Sequence, residues 1–117
     1  MNRTEISSLG EFGLIKHLTK DFEKKNSSTV LGVGDDAAIM DYKEKQVLVT
    51  TDLLLEGIHF DLVYVPLMHL GYKSAVVNFS DIYAMNGFPK QITVSLGVSK
   101  RFSVEDIEEL YAGIKLA

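Results

Sequence analysis

Three short segments of the sequence each place aspartate among glycines, hydroxyl residues or apolar residues. They are residues 32–38 (GVGDDAA), 50–52 (TTD) and 78–82 (NFSDI). Carboxylates in such surroundings are costly to bury unless a cation or hydrogen-bond donors compensate them. Magnesium bound to a nucleotide is a suitable cation, because it takes hard oxygen ligands and keeps phosphate and water in its shell. The segments therefore indicate a magnesium–nucleotide site.

The first two segments also have simpler structural interpretations. Asp52 is either a ligand at the end of a strand or the first residue of an ordinary turn. Asp35 and Asp36 follow a Gly-x-Gly turn, where one carboxylate can bond the local backbone while the other points inward. The residues alone leave these alternatives open.

The third segment lies in a predicted helix that begins at Pro66 and runs to about Met85. Ser74, Asn78 and Asp81 fall at i, i+4 and i+7, so they share one face. No Lys, Arg or Glu follows Ser74 in this helix. That absence favours a polar stripe on a buried helix, and a solvent-facing stripe is the alternative.

His59 is the histidine with a candidate role, because it lies between Gly57 and Phe60. It is either a substrate hydrogen-bonding group or a structural residue beside an aromatic ring. His17 and His69 have no acidic partner at ligand spacing. The chain contains no Ser-His-Asp or zinc pattern and no P-loop sequence, which argues against those chemistries.

Length and composition predict one globular domain in 117 residues. The net charge is −4 and the 12 Lys and Arg residues are scattered, which argues against nucleic acid as a partner. The chain has no cysteine, no signal-like start and no apolar run of membrane-spanning length. We expect neither membrane association nor disulfides, and a cytoplasmic location.

Periodicity predicts three helices and three strands. A capping box from Ser8 to Glu11 predicts a first helix over about 9–24. The remaining predicted elements are strands at 37–40 and 46–55, forming a hairpin, a strand at 91–98, and a last helix capped by Ser103 and Asp106.

The last helix carries an apolar face formed by Val104, Ile107, Leu110, Tyr111 and Ile114. This face runs towards the final residue without a stop signal, so it needs a neighbour that covers it. Either the chain is a truncated fragment, or the helix ends near residue 113 and packs within this domain.

Taken together and in order, the motifs GVGDDAA, TTDxxxEGxHF and NxSDIxAM resemble the amino-terminal domain of the thiamine-monophosphate kinases. The resemblance covers roughly residues 10–117. It implies the α/β (α+β) fold of the superfamily that includes aminoimidazole ribonucleotide synthetase, with a mixed sheet of about four strands packed by helices. The sheet is expected to pair across a homodimer. Two residues depart from the family pattern: Asn86 replaces a glycine, and Tyr83 is bulkier than the usual alanine.

The resemblance also implies roles for individual residues. His59 matches a substrate-contacting position, Asp81 a ligand that bridges more than one ion, and Asp35 a motif position of less clear role. The positions that match the family's Mg²⁺ ligands are Asp36, Thr50, Thr51, Asp52 and Asp81.

The implied reaction moves the γ-phosphoryl group of ATP to thiamine monophosphate, giving thiamine diphosphate and ADP. A general base is not expected, because a phosphate monoester is already largely anionic near neutral pH, with a second pKa of about 6. On this interpretation residues 1–117 form one ATP- and Mg²⁺-binding domain that lacks its carboxyl-terminal partner and is inactive alone. The alternatives are another ATP-dependent enzyme of the superfamily or a noncatalytic divalent-ion-binding dimerisation module.

Overall fold

Two packed helices, Leu67–Ala84 and Val104–Leu116, form the centre of the computed structural model, which describes residues 3–34 and 38–117. The mixed α/β character predicted from the sequence is confirmed. In chain order the elements are a 3-10 turn Ile6–Ser8, α1 Gly10–Thr19, β1 Thr29–Leu31, β2 Ile39–Met40, α2 Leu67–Ala84 and α3 Val104–Leu116. None of the three helices has the length and apolar character that a membrane crossing requires, within the part of the chain described.

The core lies between α2 and α3. Leu70 of α2 packs with Leu110 and Ile114 of α3, and all three side chains are buried. Further apolar side chains from the connection before α2 cover this cluster, including Phe60 and Leu62. The predicted apolar face of α3 is therefore confirmed.

Helix α3 begins with the predicted capping box. The Asp106 backbone N–H donates to Ser103 Oγ at 3.2 Å, and the Ser103 backbone N–H donates to Asp106 Oδ2 at 2.7 Å. These bonds satisfy two of the amide groups left free at a helix start. The helix runs to Leu116 rather than ending near Gly113, and α2 covers its apolar face within the chain.

Helix α1 differs from its prediction at both ends. Ser8 lies in the preceding 3-10 turn, where its hydroxyl donates to the Glu5 carbonyl at 2.7 Å. Leu9 rather than Ser8 is the N-cap of α1, so the predicted Ser8–Glu11 capping box does not form. The helix ends at Thr19, and Phe22 reaches the Tyr111 ring from the turn that follows, at 6.2 Å between centroids.

The strand predictions need correction. β2 pairs antiparallel with β1, with Thr29 opposite Met40 and Leu31 opposite Ile39. Among the residues that the structure describes, which begin again at residue 38, the predicted hairpin with 46–55 is therefore not formed. Residues 46–55 and 91–98 have strand-like composition, but within the described ranges neither pairs with a strand. The strand propensity of a residue reflects how its side chain packs against neighbouring strands, and a segment without a partner strand lacks that stabilisation.

Helix α2 follows its prediction closely. Pro66 is its N-cap, where a missing backbone N–H costs nothing. At the other end Asn86 takes a left-handed conformation with φ 57°. The Gly87 N–H donates to the Ile82 carbonyl and the Asn86 N–H to the Tyr83 carbonyl, each at 2.9 Å. This pair of hydrogen bonds is a Schellman motif. The motif needs a left-handed residue at position 86, usually glycine, and Asn tolerates that conformation.

Candidate metal and substrate site

Thr50 and Asp81, predicted from separate motifs, are neighbours in the fold. The Thr50 hydroxyl donates to Asp81 Oδ2 at 3.3 Å. Leu48, two residues before Thr50, also contacts this end of α2. Its Cδ1 lies so close to Gly87 that a Cβ added to Gly87 would be 2.6 Å away. The segment that carries Thr50 therefore lies along the carboxyl end of α2.

Asp81 occupies an electrostatically unfavourable position. It lies in the last turn of α2, where the helix dipole places partial negative charge and where that turn has no basic residue. A carboxylate there is disfavoured by about 0.3–1 kcal/mol unless a cation compensates it. The position is thus suited to an added positive charge.

Asp81 is exposed in this chain, so its predicted placement on a buried helix face is wrong. Ser74 and Asn78, on the same stripe, are half-buried and bond their own helix. The Ser74 hydroxyl donates to the Gly71 carbonyl at 2.7 Å, and Asn78 Nδ2 donates to the Ser74 carbonyl at 2.9 Å. Two residues of the stripe, Ser74 and Asn78, therefore stabilise the helix itself, and Asp81 is the residue of the stripe that is exposed.

The other predicted ligands follow Thr50 directly. Thr51 and Asp52 are exposed, and within residues 3–34 and 38–117 no strand positions them as the sequence predicted. Two residues of extended chain span about 7 Å, so Asp52 is tethered near the Thr50–Asp81 pair. Asp36, the remaining predicted carboxylate ligand, lies outside the described residues, as does Asp35.

No three His, Asp or Glu side chains converge as a cation site within residues 3–34 and 38–117. The described part of the predicted set supplies two carboxylates, from Asp52 and Asp81, and threonine oxygens. These are hard oxygen donors of the kind that magnesium prefers.

His59 lies in a tight turn before α2. The Leu55 N–H donates to His59 Nδ1 at 3.0 Å, while the His59 N–H donates to the Leu55 carbonyl at 2.9 Å. Gly57 adopts φ 81° within this turn, and its N–H donates to the Phe60 carbonyl at 2.7 Å. The imidazole is exposed and oriented by the backbone, so it is available to a ligand.

Lys73 is a site residue that the motif analysis missed. Its ammonium donates to the His59 carbonyl at 2.9 Å and so links the turn to α2. Lys73 precedes Asp81 by eight residues, about 12 Å along a helix. The turn and the carboxylate therefore flank one stretch of α2. The available signal was that Lys73 is the single Lys or Arg in that helix.

The chain is thus a mixed α/β domain that places hard oxygen donors at the carboxyl end of α2 and an oriented imidazole in the turn before that helix. The comparison with family models identifies it further: the model described as "AIR synthase related protein, N-terminal domain" matches residues 34–117. The chain belongs to this family.

Curated relatives carry the name thiamine-monophosphate kinase. The chain is 40% identical to the protein of Aquifex aeolicus over 112 residues, which cover 96% of this chain and 34% of that protein. It is 39% identical to the Bacillus subtilis protein over 107 residues (91% and 33%). It is 35% identical to the Escherichia coli K12 protein over 103 residues (87% and 30%). The chain spans about a third of the length of these relatives, and no solved structure matches it significantly.

Proposed function

We propose that this chain is the metal- and nucleotide-binding domain of a thiamine-monophosphate kinase. The observation that carries the proposal is the contact between Thr50 and Asp81, which joins two of the three motifs at one place. The names of the curated relatives supply the substrate, thiamine monophosphate, and kinase chemistry supplies ATP as the phosphoryl donor.

The residues present fit magnesium. Asp81 is a carboxylate with an unfavourable helix-end position, and Thr50 already directs an oxygen at the same place. Thr51 and Asp52 add oxygens within reach of the same pair, and Asp36 completes the proposed set. Magnesium, when bound, would shield the phosphate charges and orient the transfer.

The reaction needs no strong base from this chain. An anionic oxygen of thiamine monophosphate attacks the γ-phosphorus of ATP, and the bond from that phosphorus to the β,γ-bridging oxygen breaks, releasing ADP. The main barrier is repulsion between two polyanions that must meet in line. His59 contributes a substrate hydrogen bond in this scheme rather than proton transfer.

The proposal includes a homodimer in which a larger sheet forms across two copies. Residues 46–55 and 91–98 expose apolar side chains, among them Val49 at 88% and Leu53 at 71%. Pairing with a second chain would cover them and supply the partners that a sheet of about four strands requires. A cytoplasmic location belongs to the same proposal and fits a chain without cysteine.

Oligomeric state tests the dimer separately from binding. Val49→Asp should lower the dimer fraction in analytical ultracentrifugation, because it places charge in the proposed interface. Val63→Asp is the matched control, since Val63 is 79% exposed and lies outside both segments. Equal dimer fractions for the two variants would remove this part of the proposal.

Calorimetric titration with magnesium and a non-hydrolysable ATP analogue tests the site itself. The wild-type chain should give nucleotide-dependent heat, and Asp81→Asn should lose most of it while keeping the side-chain shape. Glu109→Gln is the control, because Glu109 is an exposed carboxylate on α3. In the complete protein, Asp81→Asn should abolish formation of thiamine diphosphate. Turnover near the wild-type rate would contradict the assignment of Asp81 as an essential ligand.

The same titration separates the noncatalytic alternative. A divalent-ion-binding dimerisation module would bind magnesium, or dimerise, without nucleotide-dependent heat. The observation that favours this alternative is the exposure of apolar side chains in residues 46–55 and 91–98. We expect no turnover from residues 1–117 alone, because the curated kinases are about three times as long.

A further inference from the structure

The hydrogen bond at His59 Nδ1 fixes which ring nitrogen faces a ligand. A backbone N–H is always a donor, so the 3.0 Å contact from Leu55 N requires Nδ1 to act as the acceptor. A neutral imidazole has one acceptor and one donor nitrogen. The proton therefore resides on Nε2, and His59 presents an N–H donor to the outside.

The turn that holds His59 is short and bonds mainly to itself. Its internal bonds join Leu55 to His59 and Gly57 to Phe60, and Phe60 packs against the core. Lys73 adds a bond from outside the turn, from Nζ to the His59 carbonyl at 2.9 Å. The carbonyl belongs to the residue whose ring is to be positioned, so this bond fixes the backbone from which the imidazole extends.

We propose that Lys73 is a positioning residue, which holds the 55–60 turn against α2 so that His59 offers its Nε2–H to an acceptor on the ligand. The ligand group is an oxygen or nitrogen acceptor, since the exposed nitrogen is a donor. Lys73 acts through His59 and does not itself contact the ligand. The assignment of the acceptor substrate rests on the proposed function, whereas the geometry of the turn does not.

Nitrogen-15 NMR of the histidine ring tests the geometry without any activity. The two His59 nitrogens, identified by their loss in His59→Gln, should give one unprotonated signal at Nδ1 and one protonated signal at Nε2. Lys73→Met should shift both signals towards the averaged values of a mobile imidazole, and Lys73→Arg should restore them because it keeps a donor. Lys16→Met, at an exposed helical lysine of α1, should leave them unchanged.

A second perturbation covers the case in which Lys73→Met does not fold. Gly57 has φ 81°, and a Cβ added there would have no atom within 4 Å, so Gly57→Ala strains the backbone of the turn without a steric clash. It should move the His59 signals in the same direction as Lys73→Met. Ring signals that stay at their wild-type positions in either variant overturn the proposal.

Kinetics of the complete enzyme provide the functional readout. Lys73→Met should raise the KM for the phosphoryl-accepting substrate roughly 2- to 10-fold, which is the effect of losing one hydrogen bond, and should change kcat little. In a His59→Gln background the same substitution should add nothing, because both changes remove one interaction. An additive loss would show that Lys73 contacts the ligand itself and would overturn the positioning role.

The two proposals fail in different ways. A wild-type enzyme that does not phosphorylate thiamine monophosphate refutes the proposed function and leaves the NMR result standing. An active enzyme whose His59 signals ignore Lys73→Met refutes the positioning role alone.

Discussion

Gly71 of α2 and Gly113 of α3 each lie directly against the backbone of the other helix. A Cβ on Gly71 would fall 1.9 Å from the Leu110 carbonyl oxygen, and one on Gly113 would fall 1.9 Å from the Met68 carbonyl oxygen. The two helices can approach this closely only because both positions lack a side chain. Since α2 carries Asp81, this contact also fixes the helix on which the candidate site is built.

Alanine at either glycine should destabilise the fold. Gly71→Ala or Gly113→Ala forces the helices apart, at a cost of about 1–3 kcal/mol that exceeds the gain of about 1 kcal/mol in helix propensity. Urea unfolding followed by circular dichroism measures the change. Gly13→Ala in α1 is the control: its Cβ would meet Leu9 Cβ at 3.4 Å, so we expect no loss of stability. Equal midpoints for the three variants would contradict the close approach.

The helices were the part of the fold that local sequence could predict. Ser103 and Asp106 form a cap within four residues, and the apolar spacing of α3 identifies its buried face. The limits of α1 were less predictable, because Ser8 belongs to the preceding 3-10 turn and Leu9 takes the N-cap position instead. A capping pattern states which bonds are possible, whereas tertiary context selects among them.

The sheet and the site depended on contacts between distant residues. Periodicity identifies residues 46–55 as strand-like, but it does not specify a partner, and β2 pairs with β1 instead. The Thr50–Asp81 contact spans 31 residues, so local pattern does not predict it, and only the family resemblance assigned both residues to one metal site. Lys73 was missed because its bond goes to a backbone carbonyl, which no side-chain motif records.

Asn86 should tolerate glycine and resist alanine. Its φ of 57° is left-handed, a conformation that costs a residue with a Cβ about 1–2 kcal/mol and that Asn adopts more readily than most. Asn86→Ala should therefore lower the free energy of unfolding by about 1 kcal/mol, whereas Asn86→Gly should leave it unchanged or slightly higher. Thermal unfolding of the two variants checks this. A more stable alanine variant would show that the Schellman geometry is not maintained in solution.

Glu105 should make stability depend on acidic pH. The Thr4 hydroxyl donates to Glu105 Oε1 at 2.6 Å and the Thr4 N–H to Oε2 at 3.0 Å. These two bonds lower the pKa of Glu105 from 4.5 to about 2, and the bond from the Thr4 hydroxyl has the larger effect. A carboxyl with a depressed folded pKa contributes stability above its unfolded pKa and loses it as the pH falls through the folded value.

The measurement compares wild type with Glu105→Gln in urea at a series of pH values. The wild-type advantage should be full near neutral pH and should shrink between pH 4.5 and about 2. Thr4→Val, which removes the hydroxyl alone, should reduce the same advantage, and Glu109→Gln controls for the loss of a charge from α3. A difference that stays constant across the range would contradict the assigned hydrogen bonds.

Thr50, a member of the proposed ligand set that also orients Asp81, should contribute less to metal-dependent binding than Asp81 does. Thr50→Val keeps the shape of the side chain but removes the hydroxyl that donates to Asp81 Oδ2. One hydrogen bond contributes about 0.5–1.5 kcal/mol, so the affinity for magnesium with the ATP analogue should fall roughly 2- to 10-fold. Thr50→Ser retains the hydroxyl and should bind like the wild type. Because the Asp81 carboxylate remains in place, the loss should be smaller than that of Asp81→Asn, and a loss as large from Thr50→Val would assign the threonine oxygen itself as an indispensable ligand.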